Sequence, residues 1–143
     1  MQLALVGDIL GGEKTLGQKI ENKMDLVELT RTGVTKSAVS NLAKYLSLSS
    51  KQIADLLPVT ERTLLRYTTK KFLSPTVSEQ VLHIAEVTAR GVEVFEDKAK
   101  FIMWLHTPHK VFSGKTPYTL LSSGFGAELV LEELGRIEFG VYS

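Results

Sequence analysis

Between Ser49 and Lys71 the chain reads SSKQIADLLPVTERTLLRYTTKK, and its apolar positions fall into two short helical runs separated by a break. Ile53, Ala54, Leu56 and Leu57 give the first run an inward side, and Leu64 with Tyr67 or Thr68 gives the second. Ser49 stands at an N-cap position with Gln52 three residues on, the spacing of a capping box. Pro58 lacks an N–H and disfavours helical geometry at Leu57, so a turn is expected at Leu57 to Val59. Thr60 then caps the second run, and Glu61 meets the positive end of its dipole. This is the spacing of a helix-turn-helix: small Ala54 where the helices cross, a turn, and Leu64 as the apolar anchor. The outward side of the second helix would carry Thr60, Arg62, Thr63, Leu65 and Arg66, with Lys70 and Lys71 just beyond, a surface suited to phosphates and guanine edges. A helical hairpin with a solvated basic face fits the same pattern, and Pro58 stands where many such motifs carry glycine.

The flanking segments share the helical period. Leu26, Val27 and Leu29, then Ala38, Val39, Leu42, Ala43 and Leu46 mark two support helices, whose apolar stripes would pack on the helix-turn-helix or on a second copy of the chain. Ser74-Pro75, or Thr76 with Glu79, starts a long helix whose face is traced by Val81, Leu82, Ala85, Thr88, Val92 and Phe95. Asp97 begins another, with Phe101, Ile102, Trp104 and Leu105, and Thr107-Pro108 stops it. After a loop from His109 to Lys115, Thr116 caps and Pro117 opens a further turn. The last helix is expected from about Phe125, with Ala127, Val130, Leu131, Leu134 and Ile137 on one side, Glu128, Glu132 and Glu133 on the other, and Gly140 at its end. The fold expected is all-α, as two domains: residues 1–73, holding the helix-turn-helix (about 49–71) and candidate dimerisation helices, and residues 74–143.

Charge sharpens the division. Over 143 residues the net charge is only +1, but residues 1–71 hold eleven Lys/Arg against seven Asp/Glu, while residues 72–143 hold six against nine. The first half suits a polyanion and the second does not. No cysteine is present, which removes disulfides and thiolate metal sites and fits a reducing cytoplasm. No apolar run approaches the roughly 18 residues of a membrane span, and the opening MQLALVGDIL has no basic flank and is broken by Asp8, unlike a signal peptide.

Two chemical readings fail on spacing. Gly7 to Thr15, GDILGGEKT, follows an apolar LALV like a phosphate-binding loop, but Glu13 separates Gly12 from Lys14, so ammonium and hydroxyl are out of register. The alternative is an apolar N-terminal helix or arm broken at Gly11-Gly12. His106 and His109 flank Pro108 with no cysteine or carboxylate pair to complete a metal shell, and His83 belongs to the long helix. No acid, base or nucleophile cluster emerges; no catalytic residue, metal or cofactor is assigned, and no enzymatic turnover is expected.

Four segments, read in order, resemble the Xre/ParS/MbcA-type antitoxins of bacterial toxin–antitoxin pairs. They are Leu10-Gly11-Gly12 to Ile20 with Asp25-Leu26 and Gly33; Leu48 to Arg66, above all Arg62-Thr63-Leu64; Trp104-Leu105 with Thr107-Pro108, Gly114, Thr116-Pro117 and Leu120-Leu121; and Gly135 to Glu138 with Gly140-Val141-Tyr142. Departures from that pattern are Leu57-Pro58 in place of a glycine-containing turn, Tyr67 in place of a second arginine, His109 in place of asparagine and Phe139 in place of histidine.

The resemblance implies a binding protein with two tasks. The C-terminal half would bind a cognate RES-domain toxin, an enzyme that depletes NAD, and the helix-turn-helix would bind operator DNA of its own operon. A homodimer, and a hetero-oligomer with the toxin, are expected. The segment assigned to the toxin is Arg136, Glu138, Phe139, Gly140, Val141, Tyr142 and Ser143: an acidic helix end would face the cationic mouth of an NAD-consuming enzyme, and the aromatic tail would plug its cleft. The competing function is a dimeric helix-turn-helix transcription factor with no toxin partner.

Overall fold

The computed structural model describes residues 3–140, and Val141, Tyr142 and Ser143 lie outside the described residues. The fold is all-α: ten α-helices and one 3-10 turn, with no strand among the described residues. Chain order is α1 (Leu3–Ile9), α2 (Glu13–Leu16), α3 (Lys23–Thr32), α4 (Lys36–Tyr45), α5 (Ser50–Asp55), α6 (Glu61–Arg66), α7 (Pro75–Phe95), α8 (Lys98–Leu105), α9 (Pro117–Leu120) and α10 (Gly124–Glu138).

Helix α7 is the axis of the molecule. Ser74 caps it, its side chain accepting from the Val77 N–H, and Pro75 occupies the first turn where its missing donor does no harm. At 21 residues it is about 31 Å long and packs against α1, α3, α8 and α10. The traced face is buried at Val81, Leu82, Ala85 and Thr88, but so are Ser78, Gln80 and Glu86 on other sides, because neighbours surround the helix. Each of these polar groups has a partner. Ser78 Oγ accepts from the Val34 N–H at 2.9 Å and donates to the Leu73 carbonyl at 3.3 Å. Gln80 donates from Nε2 to the Leu121 carbonyl, and Glu86 lies 3.5 Å from Lys23 Nζ. A buried polar side chain without partners would cost roughly 1–3 kcal/mol, so these three act as joints between α7 and its surroundings.

The N-terminal apolar segment is helical, as α1, and breaks at Gly11-Gly12, both at positive φ. A Cβ on Gly11 would fall 2.3 Å from Asn41 Nδ2, which itself donates to the Leu10 carbonyl at 3.0 Å. Glycine is therefore required there for helix contact and backbone conformation.

The support helices differ from one expectation. Leu29, Val39, Leu42 and Leu46 are buried in the chain's own core, so they cannot serve as surfaces for a second copy. Of the eight apolar positions that mark the support helices in the sequence, only Val27 stays exposed and Leu26 partly so; both open onto a groove of about 470 Å³ between α3 and α7, lined also by Leu82, His83 and Glu86.

Candidate functional site

The segment Ser49 to Lys71 folds as its caps dictate. Ser49 and Gln52 form a reciprocal capping box at the start of α5, and Ile53 and Ala54 face inward. Helix α5 ends at Asp55, Leu56 and Leu57 are buried, and Pro58 lies in the turn that follows. Thr60 accepts from the Thr63 N–H and also donates its hydroxyl to Thr63 Oγ1 at 3.0 Å. With Leu64 buried, Arg62, Leu65 and Arg66 share an arc of about 100° on the opposite side of α6, and all three are exposed. Neither arginine is paired with a carboxylate among the described residues, so both guanidinium groups keep their donors available.

Lys70 and Lys71 lie beyond the end of α6, where the sequence puts them. They sit on a strap, residues 67–72, that crosses the start of α4. Thr35 caps α4 in backbone conformation but makes no side-chain cap bond. The orphan amides of the first turn are satisfied instead by the strap: Lys36 N–H donates to the Lys71 carbonyl at 2.9 Å and Ser37 N–H to the Thr69 carbonyl at 3.0 Å. Lys36 Nζ in turn donates to the Tyr67 carbonyl at 3.4 Å, just past the end of α6, while the Lys71 ammonium lies 5.5 Å from the Tyr67 ring centre. The strap therefore fixes where α6 ends and where the two lysines stand.

Sequence reasoning missed a second basic stripe. Lys36, Ser40 and Lys44 recur every four residues along α4 and line a shallow groove with Leu65. Only the i, i+4 spacing could have signalled it, and nothing in that spacing says that α4 flanks α6.

The C-terminal half is built round an aromatic cluster. Trp104 packs on Phe101, Phe95, Phe112 and His109, with ring centres 5.1 to 6.4 Å apart, and the His109 ring hydrogen-bonds the Trp104 carbonyl at 3.0 Å. His109 is thus a packing residue. His106 packs at a tilt against Tyr118 with ring centres 5.0 Å apart, and no group of three or more potential metal ligands occurs among the described residues. Tyr118 also ties the halves together, its hydroxyl donating to the Gln52 carbonyl of α5 at 3.0 Å. Burial pushes that hydroxyl's pKa up, with Asp55 adding to it, so it remains a donor.

Helix α10 starts at Ser123, which caps it through the Gly126 N–H, and buries Ala127, Val130 and Leu134. At its far end Arg90 of α7 grips Glu138 through both guanidinium nitrogens, one at 3.0 Å, and reaches Glu93 at 2.7 Å. Of the residues assigned to a toxin, Glu138 is held in this bridge, with its carboxyl below the usual glutamate range because Arg90 donates to it. Arg136 is exposed and bonded to Glu133 at 2.8 Å, Phe139 is 78% exposed, and Gly140 adopts φ 72°. The described end of α10 is thus braced against α7.

Comparison with known proteins gives these surfaces a context. Residues 25–86 match the antitoxin Xre-like helix-turn-helix domain, and residues 90–140 match the antitoxin Xre/MbcA/ParS C-terminal toxin-binding domain. The two matches meet inside α7, whereas the boundary expected from sequence falls at its N-cap. Antitoxin Xre of Yersinia enterocolitica is 29% identical over 120 residues, spanning 82% of this chain and 81% of that protein. The fold is shared with a chain of the crystal structure of the M. tuberculosis MbcT-MbcA toxin-antitoxin complex, at a TM-score of 0.58 and 18% identity over 76% of this chain and 96% of that one. The chain thus matches an antitoxin Xre-like helix-turn-helix domain joined, in order, to an antitoxin Xre/MbcA/ParS C-terminal toxin-binding domain.

Proposed function

We propose that this chain inhibits a cognate RES-domain, NAD-depleting toxin by blocking its active site with the C-terminal segment, and represses its own operon through α5 and α6. One observation supports this reading: two separate exposed surfaces on one chain, each within a different matched domain. An unpaired basic helix face lies within the matched helix-turn-helix, and an exposed aromatic helix end lies within the matched toxin-binding segment. The assignment to RES rests on the sequence resemblance. The protein acts by binding rather than turnover, in the cytoplasm; no helix of the described residues is long and apolar enough to cross a membrane.

On DNA, Arg62 and Arg66 read base edges, Thr60, Thr63 and Leu65 fit against the groove wall, and Lys70 and Lys71 neutralise phosphates from the strap. One bidentate arginine–guanine pair gives about 1–3 kcal/mol of discrimination. A single helix-turn-helix makes few contacts, so two chains on half-sites about one turn apart are needed for tight binding. On the toxin, Glu138 and Arg136 stand at the rim while Phe139 to Ser143 enter the cleft. Replacing Arg62 and Arg66 by alanine should abolish retardation of the operon's promoter and leave toxin neutralisation intact. Normal retardation by that variant would refute the assigned DNA face.

A further inference from the structure

The outer side of α10 carries apolar surface that the tail does not account for. Phe125, Leu129, Glu132, Arg136 and Phe139 follow one another at intervals of three and four residues, which gathers them into about 80° of arc on the side opposite buried Ala127, Val130 and Leu134. Phe125 is 84% exposed and Leu129 48%, and Phe139 at the far end completes a stripe about 21 Å long. Large apolar side chains aligned on one solvent face mark an interaction site.

We propose that the toxin is gripped along this whole outer stripe of α10, the helix lying in an apolar groove of the toxin with Phe125 and Leu129 as anchors. This rests on the toxin-inhibitor reading above and extends it. Size is the first reason. A specific stable interface takes about 20–30 residues a side, far more than the five that follow Glu138. The second is location: the entire stripe falls within residues 90–140, the segment matched to a toxin-binding domain. Charge is the third. Glu128 and Glu132 are exposed along the stripe, while the Arg136 charge is paired with Glu133, so the surface is acidic and complements the basic mouth of an enzyme that holds a pyrophosphate. The grip of Arg90 on Glu138 holds the far end of the stripe against α7, which lowers the ordering cost of binding.

The test uses the full chain and the purified RES-domain toxin proposed as its partner, with affinity read by calorimetry and protection read as NAD remaining. Changing Phe125→Ala together with Leu129→Ala should weaken toxin binding at least about thirtyfold, the size of one interface hot spot, with melting temperature and promoter retardation unchanged. Should that variant melt early, Leu129→Gln, which keeps helix propensity and side-chain length, is read instead and should still weaken binding several-fold. Affinity within about threefold of the parent, when deletion of Phe139 to Ser143 abolishes protection, overturns the stripe and leaves the inhibitor reading standing. A loss of self-association with toxin affinity kept makes the stripe an interface between copies and overturns it too. If the parent chain itself does not bind the toxin, the inhibitor reading fails and the stripe with it.

Discussion

Substituting Gly126 by alanine should destabilise the chain, whereas the same change at Gly135 in the same helix should not. A Cβ on Gly126 would lie 1.8 Å from the Leu120 carbonyl oxygen and 2.7 Å from its carbonyl carbon, so α9 and α10 must part by about 1 Å. The obstacle is backbone, and it cannot swing aside: the next residue, buried Leu121, accepts the hydrogen bond of the Gln80 amide. Alanine gains up to about 1 kcal/mol over glycine in helix propensity. Against this stand an overpacking cost of about 1–3 kcal/mol and strain on a buried hydrogen bond whose loss costs a similar amount. The net should be about 2–3 kcal/mol of destabilisation, lowering the melting temperature by roughly 5–10 °C for a chain of this size. At Gly135 nothing among the described residues lies within 4 Å of the added carbon, so propensity alone acts, and stability should rise by up to about 1 kcal/mol. Scanning calorimetry on the two variants reads both signs. A Gly126→Ala protein that melts at or above the parent would refute the close α9–α10 approach.

Two further outcomes follow from buried and charged joints. Ser78→Ala removes the acceptor of the buried Val34 N–H, and urea unfolding should show a loss of about 1–3 kcal/mol; unchanged stability would mean that another acceptor replaces the hydroxyl. The depressed carboxyl of Glu138 sets a pH dependence of definite sign. Its contribution is complete above the ordinary glutamate value of about 4.3 and is lost only as pH falls through the lower folded value, so the end of α10 should stay braced at pH 5 and loosen only in stronger acid. An NMR titration of Glu138 at its ordinary value, or one unchanged by Arg90→Gln, would contradict the bridge.

What the sequence made legible was local. Caps at Ser49, Thr60, Ser74, Asp97 and Thr116 each act within three residues, and all five stand where the spacing puts them. Leu64 and Ala54 are buried because a helix-turn-helix has few ways to pack. Distant pairings left no trace. The Val34–Ser78 bond spans 44 positions and the Arg90–Glu138 bridge 48, and neither has a pattern to announce it. The same reason explains the support helices: periodicity showed that Leu29, Val39, Leu42 and Leu46 face one way but not whether the covering surface belongs to the same chain. It is the chain's own core. On α10 the helical period carries two apolar sides, and the run of Ala127, Val130 and Leu134 masks the second, through Phe125, Leu129 and Phe139, because acidic residues interrupt it.

The central claim is inhibition by the C-terminal segment, and one titration tests it directly. NAD consumption by the purified RES-domain toxin proposed as its partner is followed while the full chain, or the chain lacking Phe139 to Ser143, is added. The full chain should halt NAD loss near equimolar ratio, and the truncated chain, still folded and still retarding its promoter, should fail to protect. Equal protection by both would show that the tail is not the inhibitory element, and continued NAD loss with an excess of the full chain would contradict the antitoxin reading for a RES-domain partner.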